Sequence, residues 1–158
     1  MIDTTASPAP APAPEYVEGY RPGVLGRIAE LHGVYYARAW GAGAEFEGMM
    51  AQELREFLGR YRAGRDLLLT ARVAGRLVGS IAVDGSQLKR PGARLRWVIV
   101  EDESRGRGIG KELLRRALAH CAGAGFGKVY LWTVEGLPES RALYLRAGFR
   151  IVETYGSM

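Results

Sequence analysis

The stretch Ser104-Arg105-Gly106-Arg107-Gly108-Ile109-Gly110-Lys111 leaves this chain little choice of local structure. Before it runs Leu95-Arg96-Trp97-Val98-Ile99-Val100, rich in β-branched residues and therefore a strand. After it, Ile109, Leu113, Leu114, Ala117, Leu118 and Cys121 recur at helical spacing. The order is strand, glycine-rich turn, helix. Glycines permit positive φ and close approach of another group to the backbone. The turn ends at a helix N-terminus, where unpaired N–H groups and the positive end of the dipole attract phosphate. Arg105, Arg107 and Lys111 add full charges, so the stretch reads as a cradle for a diphosphate.

Two familiar phosphate motifs do not fit. A P-loop needs G-x-x-x-x-G-K-[ST], but Arg105 and Glu112 stand at its first and last positions. In the dinucleotide pattern G-x-G-x-x-G, the third glycine arrives one residue early from Gly106, and Leu113 takes its place from Gly108. What fits is Arg-x-x-Gly-x-Gly, as Arg105, Gly108 and Gly110.

The chain's 158 residues suit one domain with a sizeable core. No apolar run approaches the ~20 residues of a membrane span, and the N-terminus lacks the basic and apolar regions of a secretory signal. A single cysteine, Cys121, forms no internal disulfide and sits on the apolar face of its helix, as a buried inert thiol does. A reducing, cytoplasmic setting is expected. Net charge is +5, which suits either nucleic acid or a polyanionic cofactor. The arginines are scattered, with no basic run interleaved with aromatics, so no nucleic-acid partner is expected, nor a membrane or a bound metal.

Residues 1–14 form a Pro/Ala tail, expected to be extended and mobile; residues 15–158 form the folded domain. Tyr16–Tyr20 reads as a short strand. Val24 to Ala39 and Phe46 to Tyr61 carry apolar residues at helical spacing. Leu67–Val73 and Arg76–Val83 read as a hairpin across Ala74-Gly75. The strand at 94–100, the glycine-rich turn and its helix follow. Gly123, Gly125 and Gly127 end that helix, and Lys128–Thr133 is the next strand. Pro138 starts a last helix, Gly148 ends it, and Phe149–Tyr155 is a final strand. The expected fold class is α/β, in the order β-α-α-β-β-β-α-β-α-β.

That order, the Arg105/Gly108/Gly110 turn and the stretch Leu143-Tyr144-Leu145-Arg146-Ala147-Gly148-Phe149 resemble the GCN5-related N-acetyltransferase (GNAT) family. Its Leu-Tyr-x-x-x-Gly-Phe helix end is matched by the last stretch, and the resemblance spans about residues 16–155. In more detail, Gly19–Gly23, Leu31-His32 with Tyr35-Tyr36, Leu95-Arg96-Trp97 and Leu131–Leu137 resemble the acetyltransferase half of bacterial proteins that fuse a MarR-type winged helix to this domain.

The resemblance implies a mixed, mostly antiparallel sheet with helices on both faces. It also implies acetyl-CoA as cosubstrate and an amine of a small molecule or protein as acceptor, joined in a ternary complex. Backbone groups of Val98, Ile99 and Val100 would bond the pantetheine arm, and those of Arg105, Gly106, Arg107, Gly108, Ile109, Gly110 and Lys111 the pyrophosphate. Tyr144 would protonate the leaving thiolate. A tyrosine, with an ordinary pKa of ~10, is mostly protonated at neutral pH and suits that task. No general base is obvious. Glu135 is one candidate, and Glu45 and Glu47 approach from the second helix. His32, Tyr35, Glu47 and Trp132 are expected at the acceptor side, His32 either as a pocket wall or as a structural residue of its helix.

The sequence departs from the family at Asp102, often proline, and at Leu137, often asparagine. The chain also reaches Met158 just after the sixth strand, where the family usually has a seventh. The expectation is that the sixth strand pairs directly with the strand at 128–133, or that a partner subunit fills the gap in a homodimer. The rival reading from another class is a non-catalytic acyl-CoA-binding sensory domain.

Overall fold

The computed structural model describes residues 12–86, 91–132 and 138–150. Its elements run β1 (Glu15–Glu18), α1 (Val24–Trp40), α2 (Ala44–Gly59), β2 (Leu67–Val73), β3 (Arg76–Asp84), β4 (Ala93–Val100), a 3₁₀ turn (Asp102–Ser104), α3 (Ile109–Gly123), β5 (Val129–Tyr130) and α4 (Pro138–Arg146). The sheet order is β1-β2-β3-β4-β5. The first three pairings are antiparallel and β4 with β5 is parallel, which makes the sheet mixed. The tight turn at Ala74-Gly75 has φ 51° and 81°. Positive φ at both positions suits the twist of a two-residue hairpin.

Both faces of the sheet are buried, as two separate cores. Leu67, Leu69, Ala71, Ile81, Val83, Ala93 and Leu95 pack with Ile109, Leu113, Ala117 and Cys121 of α3 and Tyr144 of α4. Leu68, Leu77, Ala82, Trp97 and Ile99 pack on the other face with Val24, Ile28 and Leu31 of α1 and Leu54 and Phe57 of α2. A strand buried on both sides reads as a continuous apolar run, as Leu67-Leu68-Leu69 does. Cys121 is buried, and burial pushes its thiol up to about 11, as an inert core cysteine requires.

Two buried carboxylates fix the end of the sheet at the β3–β4 connection. Asp84 accepts hydrogen bonds from Arg60 Nη2 at 2.8 Å, Arg96 Nη1 at 3.1 Å and the Ser86 amide at 3.0 Å. Asp66 accepts from the Arg62 amide at 2.9 Å, the Gly85 amide at 2.8 Å and Arg65 Nη2 at 2.8 Å. Arg96 also binds Glu53 of α2 at 3.1 Å. At the other end of β4, Glu101 holds Arg27 of α1 at 2.9 Å and Arg76 of β3.

Where β4 begins, Gly92 has φ +108°, and a Cβ built there would lie 2.5 Å from the Lys128 carbonyl oxygen. That oxygen accepts the Ala93 amide at 2.9 Å, the bond that starts the β4–β5 pairing. A side chain at 92 meets both a disfavoured backbone and a fixed carbonyl. Gly92→Ala is therefore expected to destabilise the fold by about 2–3 kcal/mol, read from urea unfolding midpoints at unchanged m.

The sequence reading places these elements within a few residues. The first strand is Glu15–Glu18 rather than 16–20, and β5 is confined to Val129–Tyr130 rather than 128–133. Of the expected last strand, Phe149 and Arg150 lie outside any strand, and 151–155 lie outside the described residues. No helix of the described residues is long and apolar enough to cross a membrane.

Candidate active site

Strand β4 carries an extra residue. Ser80 pairs with Ile99 and Ala82 with Arg96, so Trp97 and Val98 together face the single residue Ile81. Trp97 sits at φ 49°, a left-handed conformation that a bulky residue rarely adopts. Its strain, of order 1–3 kcal/mol, is offset by packing. The indole ring lies 5.4 Å from the Phe57 ring and 4.2 Å beneath the Arg96 guanidinium. The Trp97 carbonyl, turned out of the ladder by the bulge, accepts a 2.6 Å hydrogen bond from Ser80 Oγ.

The bulge re-aims the strand. Ala93 and Leu95 pack toward α3, and Trp97 and Ile99 toward α1 and α2. On its other edge β4 pairs with β5 only at Ala93–Val129 and Arg94–Tyr130. β5 ends at Tyr130, and among the described residues no strand pairs with the β5-facing edge of β4 from Leu95 to Val100. Val98, Ile99 and Val100 lie in that part of β4.

Past Val100 the chain runs through the 3₁₀ turn Asp102–Ser104 into the glycine-rich turn. Gly106 has φ +81°, and Gly108, at the N-cap of α3, has φ +77°. Both conformations hold the backbone back from an ordinary turn and aim the first amides of α3 outward. Gly110 lies where a Cβ would touch Val100 and Leu143, at 3.5 and 3.6 Å, so the helix start packs closely between β4 and α4. Ile109 is buried and Lys111 exposed. Arg105 reaches back to the Val100 carbonyl at 3.4 Å, to Asp102 at 3.3 Å and over the Tyr35 ring at 5.4 Å. Arg107 donates to the carbonyl of Pro12, at 2.6 Å, so Pro12 lies beside the turn. Glu112, one turn into α3, hydrogen-bonds Arg115 and Arg116, which hold its carboxyl down at about 2. Its charge is thereby matched along the helix rather than left facing the turn.

A cleft of about 210 Å³ lies between α1 and the end of β4, lined in part by Arg27, Leu31, Tyr35, Ile99 and Glu101. Tyr35 thus stands at the meeting of this cleft and the turn.

Tyr144 comes from α4, on the α3 side of the sheet, and is buried against that core. Its ring packs edge-on to Phe149 at 6.0 Å. Burial drives the Tyr144 pKa well above the ordinary value, and the nearby Tyr36 pushes it the same way. Tyr36 belongs to α1, on the opposite side. Across a closed sheet the strands themselves would stand between two such side chains. The effect of Tyr36 on Tyr144 is thus felt from the other layer.

Around Tyr36 gather Phe46 at 5.0 Å, Tyr35 at 5.1 Å and His32 stacked at 6.5 Å. Burial also raises the Tyr36 pKa, with Tyr35 adding to it. Glu47 reaches α1 from the first turn of α2. A Cβ on Gly33 would lie 2.4 Å from Glu47 Oε1, so the glycine makes room for this carboxylate. His32 is buried, its Nδ1 2.8 Å from the Ile28 carbonyl, and burial lowers its pKa to about 4. Of the two accounts of His32, the packing matches a structural residue of the helix that also walls the Tyr36 cluster. Trp132 is exposed just past β5. Glu135 lies outside the described residues. Glu45 is exposed on the first turn of α2.

The structure thus sets the turn 105–111 just past the end of β4, with Gly110 against Val100, and gathers His32, Tyr35 and Phe46 around Tyr36, with Glu47 against Gly33 of the same helix. Tyr36 enters the sequence reading only within the stretch Leu31-His32 with Tyr35-Tyr36, with no role of its own, and Arg94 has no motif at all. The one signal for Arg94 is strand alternation, which sets Arg94 and Arg96 on the face opposite Ala93 and Leu95. Among the described residues no group of His, Cys, Asp or Glu could hold a metal ion.

The model of the Acetyltransferase (GNAT) family matches residues 25–149. No curated protein matches the chain. Among solved structures, an acetyltransferase of Clostridium acetobutylicum, crystallised with acetyl-CoA, superposes with a TM-score of 0.72 at 13% identity, covering 92% of this chain and 96% of that one. A GCN5-related N-acetyltransferase of Ralstonia eutropha JMP134 gives a TM-score of 0.72 at 20% identity, covering 92% and 98%. A ribosomal-protein-alanine N-acetyltransferase of Brucella melitensis biovar Abortus 2308 gives 0.64 at 19% identity, again covering 92% and 98%. At these identities the likeness is one of fold.

Proposed function

Because the chain belongs to the GNAT acetyltransferase family, we propose that it moves an acetyl group from acetyl-CoA to a primary amine, by direct attack in a ternary complex. The observation that carries the reading is the pair of left-handed glycines before α3, followed by Gly110, which packs against Val100 of β4 and Leu143, the neighbour of Tyr144. A Cβ and a negative φ at 106 and 108 would narrow such a cradle; the glycines there leave it free, so the residues present fit a pyrophosphate.

Acetyl-CoA supplies an activated thioester. The protein's residues do the rest. Backbone amides from Arg105 to Lys111 hold the pyrophosphate, with Arg105 braced on Asp102 and Tyr35. The β4 edge at Val98–Val100 bonds the pantetheine arm, and fixed N–H groups there meet the negative charge that builds on the carbonyl oxygen. Tyr144, kept protonated by burial, gives its proton to the leaving sulfur. The attacking amine must arrive as free base, and Glu47, whose carboxylate lies against Gly33 of α1, takes its proton through water. Glu135 is the alternative acceptor of that proton. The protein works without nucleic acid or membrane, in the cytoplasm.

The test is calorimetric titration with acetyl-CoA, followed by thiol release with amines and peptides. Binding with release supports transfer. Binding with no release from any amine favours a sensory domain. Gly108→Val tests the cradle: it forces a β-branched residue to φ +77° and is expected to weaken acetyl-CoA binding about tenfold or more, with the rest of the fold intact by circular dichroism.

A further inference from the structure

The cleft of about 210 Å³ between α1 and the end of β4 has a chemistry of its own. Leu31 and Val34 of α1 and Ile99 of β4 give it apolar walls. Glu101, the first residue past β4, also lines it. The Glu101 amide donates to the Val78 carbonyl at 2.7 Å, which ties the residue to β3. Its side chain is only 10% exposed. One carboxylate oxygen, Oε1, is bound by Arg27 at 2.9 Å and by Arg76. The other, Oε2, is buried without a hydrogen-bond partner. A buried carboxylate oxygen with no donor is rare and costly, and it marks a place for a donor that the protein does not supply.

The guanidinium groups of the lining are already engaged. Arg27 donates from Nε to the Leu77 carbonyl at 3.0 Å, from Nη1 to Glu30 and from Nη2 to Glu101 Oε1. Arg38 is exposed and pairs with Asp102 at 3.6 Å. Against these two stand four carboxylates, those of Glu30, Glu101, Asp102 and Glu103. Arg76 and Arg105 meet Glu101 and Asp102 from outside the lining. Glu103 is exposed and makes no ion pair among the described residues. An anion in the cleft would meet only guanidinium groups already paired. A cation meets Glu101 Oε2 and the unpaired Glu103.

We infer that this cleft is a binding site for a small aliphatic ammonium ion, with its charged end on Glu101 and its chain along Leu31, Val34 and Ile99. An ammonium brings three donors and forms charge-assisted bonds to a carboxylate. Its methylene groups pack on aliphatic walls as a lysine stem does. A second ammonium at the far end of a short chain meets Glu103, so a diamine fits better than a monoamine. The space exceeds what a lone water needs. The inference goes beyond acetyl transfer and stands whether or not the chain performs it. Such an amine has two sources, an acceptor of the acetyl group or an effector that is never acetylated.

The test is NMR of the full wild-type chain with ¹³C-labelled Ile, Leu and Val methyl groups, titrated with 1,4-diaminobutane at constant ionic strength. The methyls of Leu31, Val34 and Ile99 are expected to shift and saturate. The Kd should lie about tenfold or more below that for butan-1-ol, which has the chain and no charge. Glu101→Gln is expected to weaken diaminobutane and butylamine alike, by about tenfold. Glu103→Gln, at an exposed position that puts no fold at risk, removes the preference for the diamine over butylamine. Shifts no larger than those with butan-1-ol, shifts confined to methyls away from the cleft, or a Kd unchanged in both variants overturn the inference.

Thiol release from acetyl-CoA with diaminobutane separates the two sources. Release with a KM raised in Glu103→Gln supports the site as one for the acceptor. Cleft shifts without release support it as one for an effector. Failure of acetyl transfer with every amine leaves the methyl shifts to decide the site alone.

Discussion

Tyr144→Phe is expected to lower kcat for acetyl transfer by roughly 100-fold while leaving the Kd for acetyl-CoA within about twofold. The substitution removes one hydroxyl and keeps the ring. The ring's contacts belong to the core it shares with α3 and to Phe149, 6.0 Å away, and these persist. What disappears is an acid held in its protonated form. Burial penalises the phenolate, and Tyr36 adds to the penalty from the opposite layer, so the hydroxyl keeps its proton at neutral pH. Two consequences separate this role from simple packing. The pH–rate profile of the wild type shows no limb from Tyr144 below about pH 10. The Phe variant loses rate with good thiol leaving groups less than with poor ones, because an acid matters most where the leaving group is most basic. An unchanged kcat would remove Tyr144 from the chemistry. Single-turnover kinetics with calorimetry in parallel distinguish the two parameters.

Lowering the pH from 7 to 4 is expected to cost the fold about 3 kcal/mol through His32 alone. Its folded-state pKa is lowered to about 4 from an ordinary 6.5, because burial opposes the imidazolium. Between those two values the unfolded chain binds a proton that the native state refuses. Stability therefore falls as pH drops through that window, and the loss is complete near pH 4. Asp84 acts in a lower window. Burial raises its pKa, but the hydrogen bonds from Ser86, Arg60 and Arg96 outweigh that and hold it down at about 2. A depressed carboxylate contributes stability above its unfolded value and loses it as pH falls through the folded one. About 2 kcal/mol more is lost between pH 4 and 2. Urea unfolding across pH 7 to 2 checks both windows. His32→Phe, which keeps a ring against Tyr36, is expected to flatten the upper one. Asp84→Asn should flatten the lower one, at the cost of leaving Arg60 and Arg96 short of a counter-charge. A wild-type profile flat from pH 7 to 4 would mean that His32 accepts a proton in place.

The fold was legible because its signals are local. Leu67–Val73, Ala74-Gly75 and the helix after Gly108 each carry their own periodicity or turn chemistry, and each lies where the spacing puts it. The turn 105–111 was legible for the same reason. The site's remaining members depend on long-range geometry. Trp97 reads as one more apolar residue of a strand, and nothing local announces that it takes a left-handed conformation; only the pairing of Ser80 with Ile99 and Ala82 with Arg96 reveals it. Tyr36 reads as a helix aromatic, and its influence on Tyr144 arises from two layers meeting, which no single segment encodes. The length of β5 also escaped the sequence. Lys128–Thr133 has the composition of a longer strand, but the pairing with β4 stops at Tyr130.

The extra residue at Trp97 acts on β4 as a frame shift acts on a message. Before it, even-numbered positions (Arg94, Arg96) belong to the α1–α2 layer and odd ones (Ala93, Leu95) to the α3 layer. After it the parity is exchanged, with Trp97 and Ile99 on the first side and Val98 and Val100 on the second. A strand with one uniform alternation can slip by two residues against its neighbour and still bury the right faces. This one cannot slip so freely, because an even slip carries residues across the bulge and exchanges their faces. The strand is thereby a ruler of fixed length. At about 3.3 Å per residue, the stretch from Arg94 to Val100 measures roughly 20 Å. It fixes the separation between the rung that β4 shares with β5 and the glycine-rich turn.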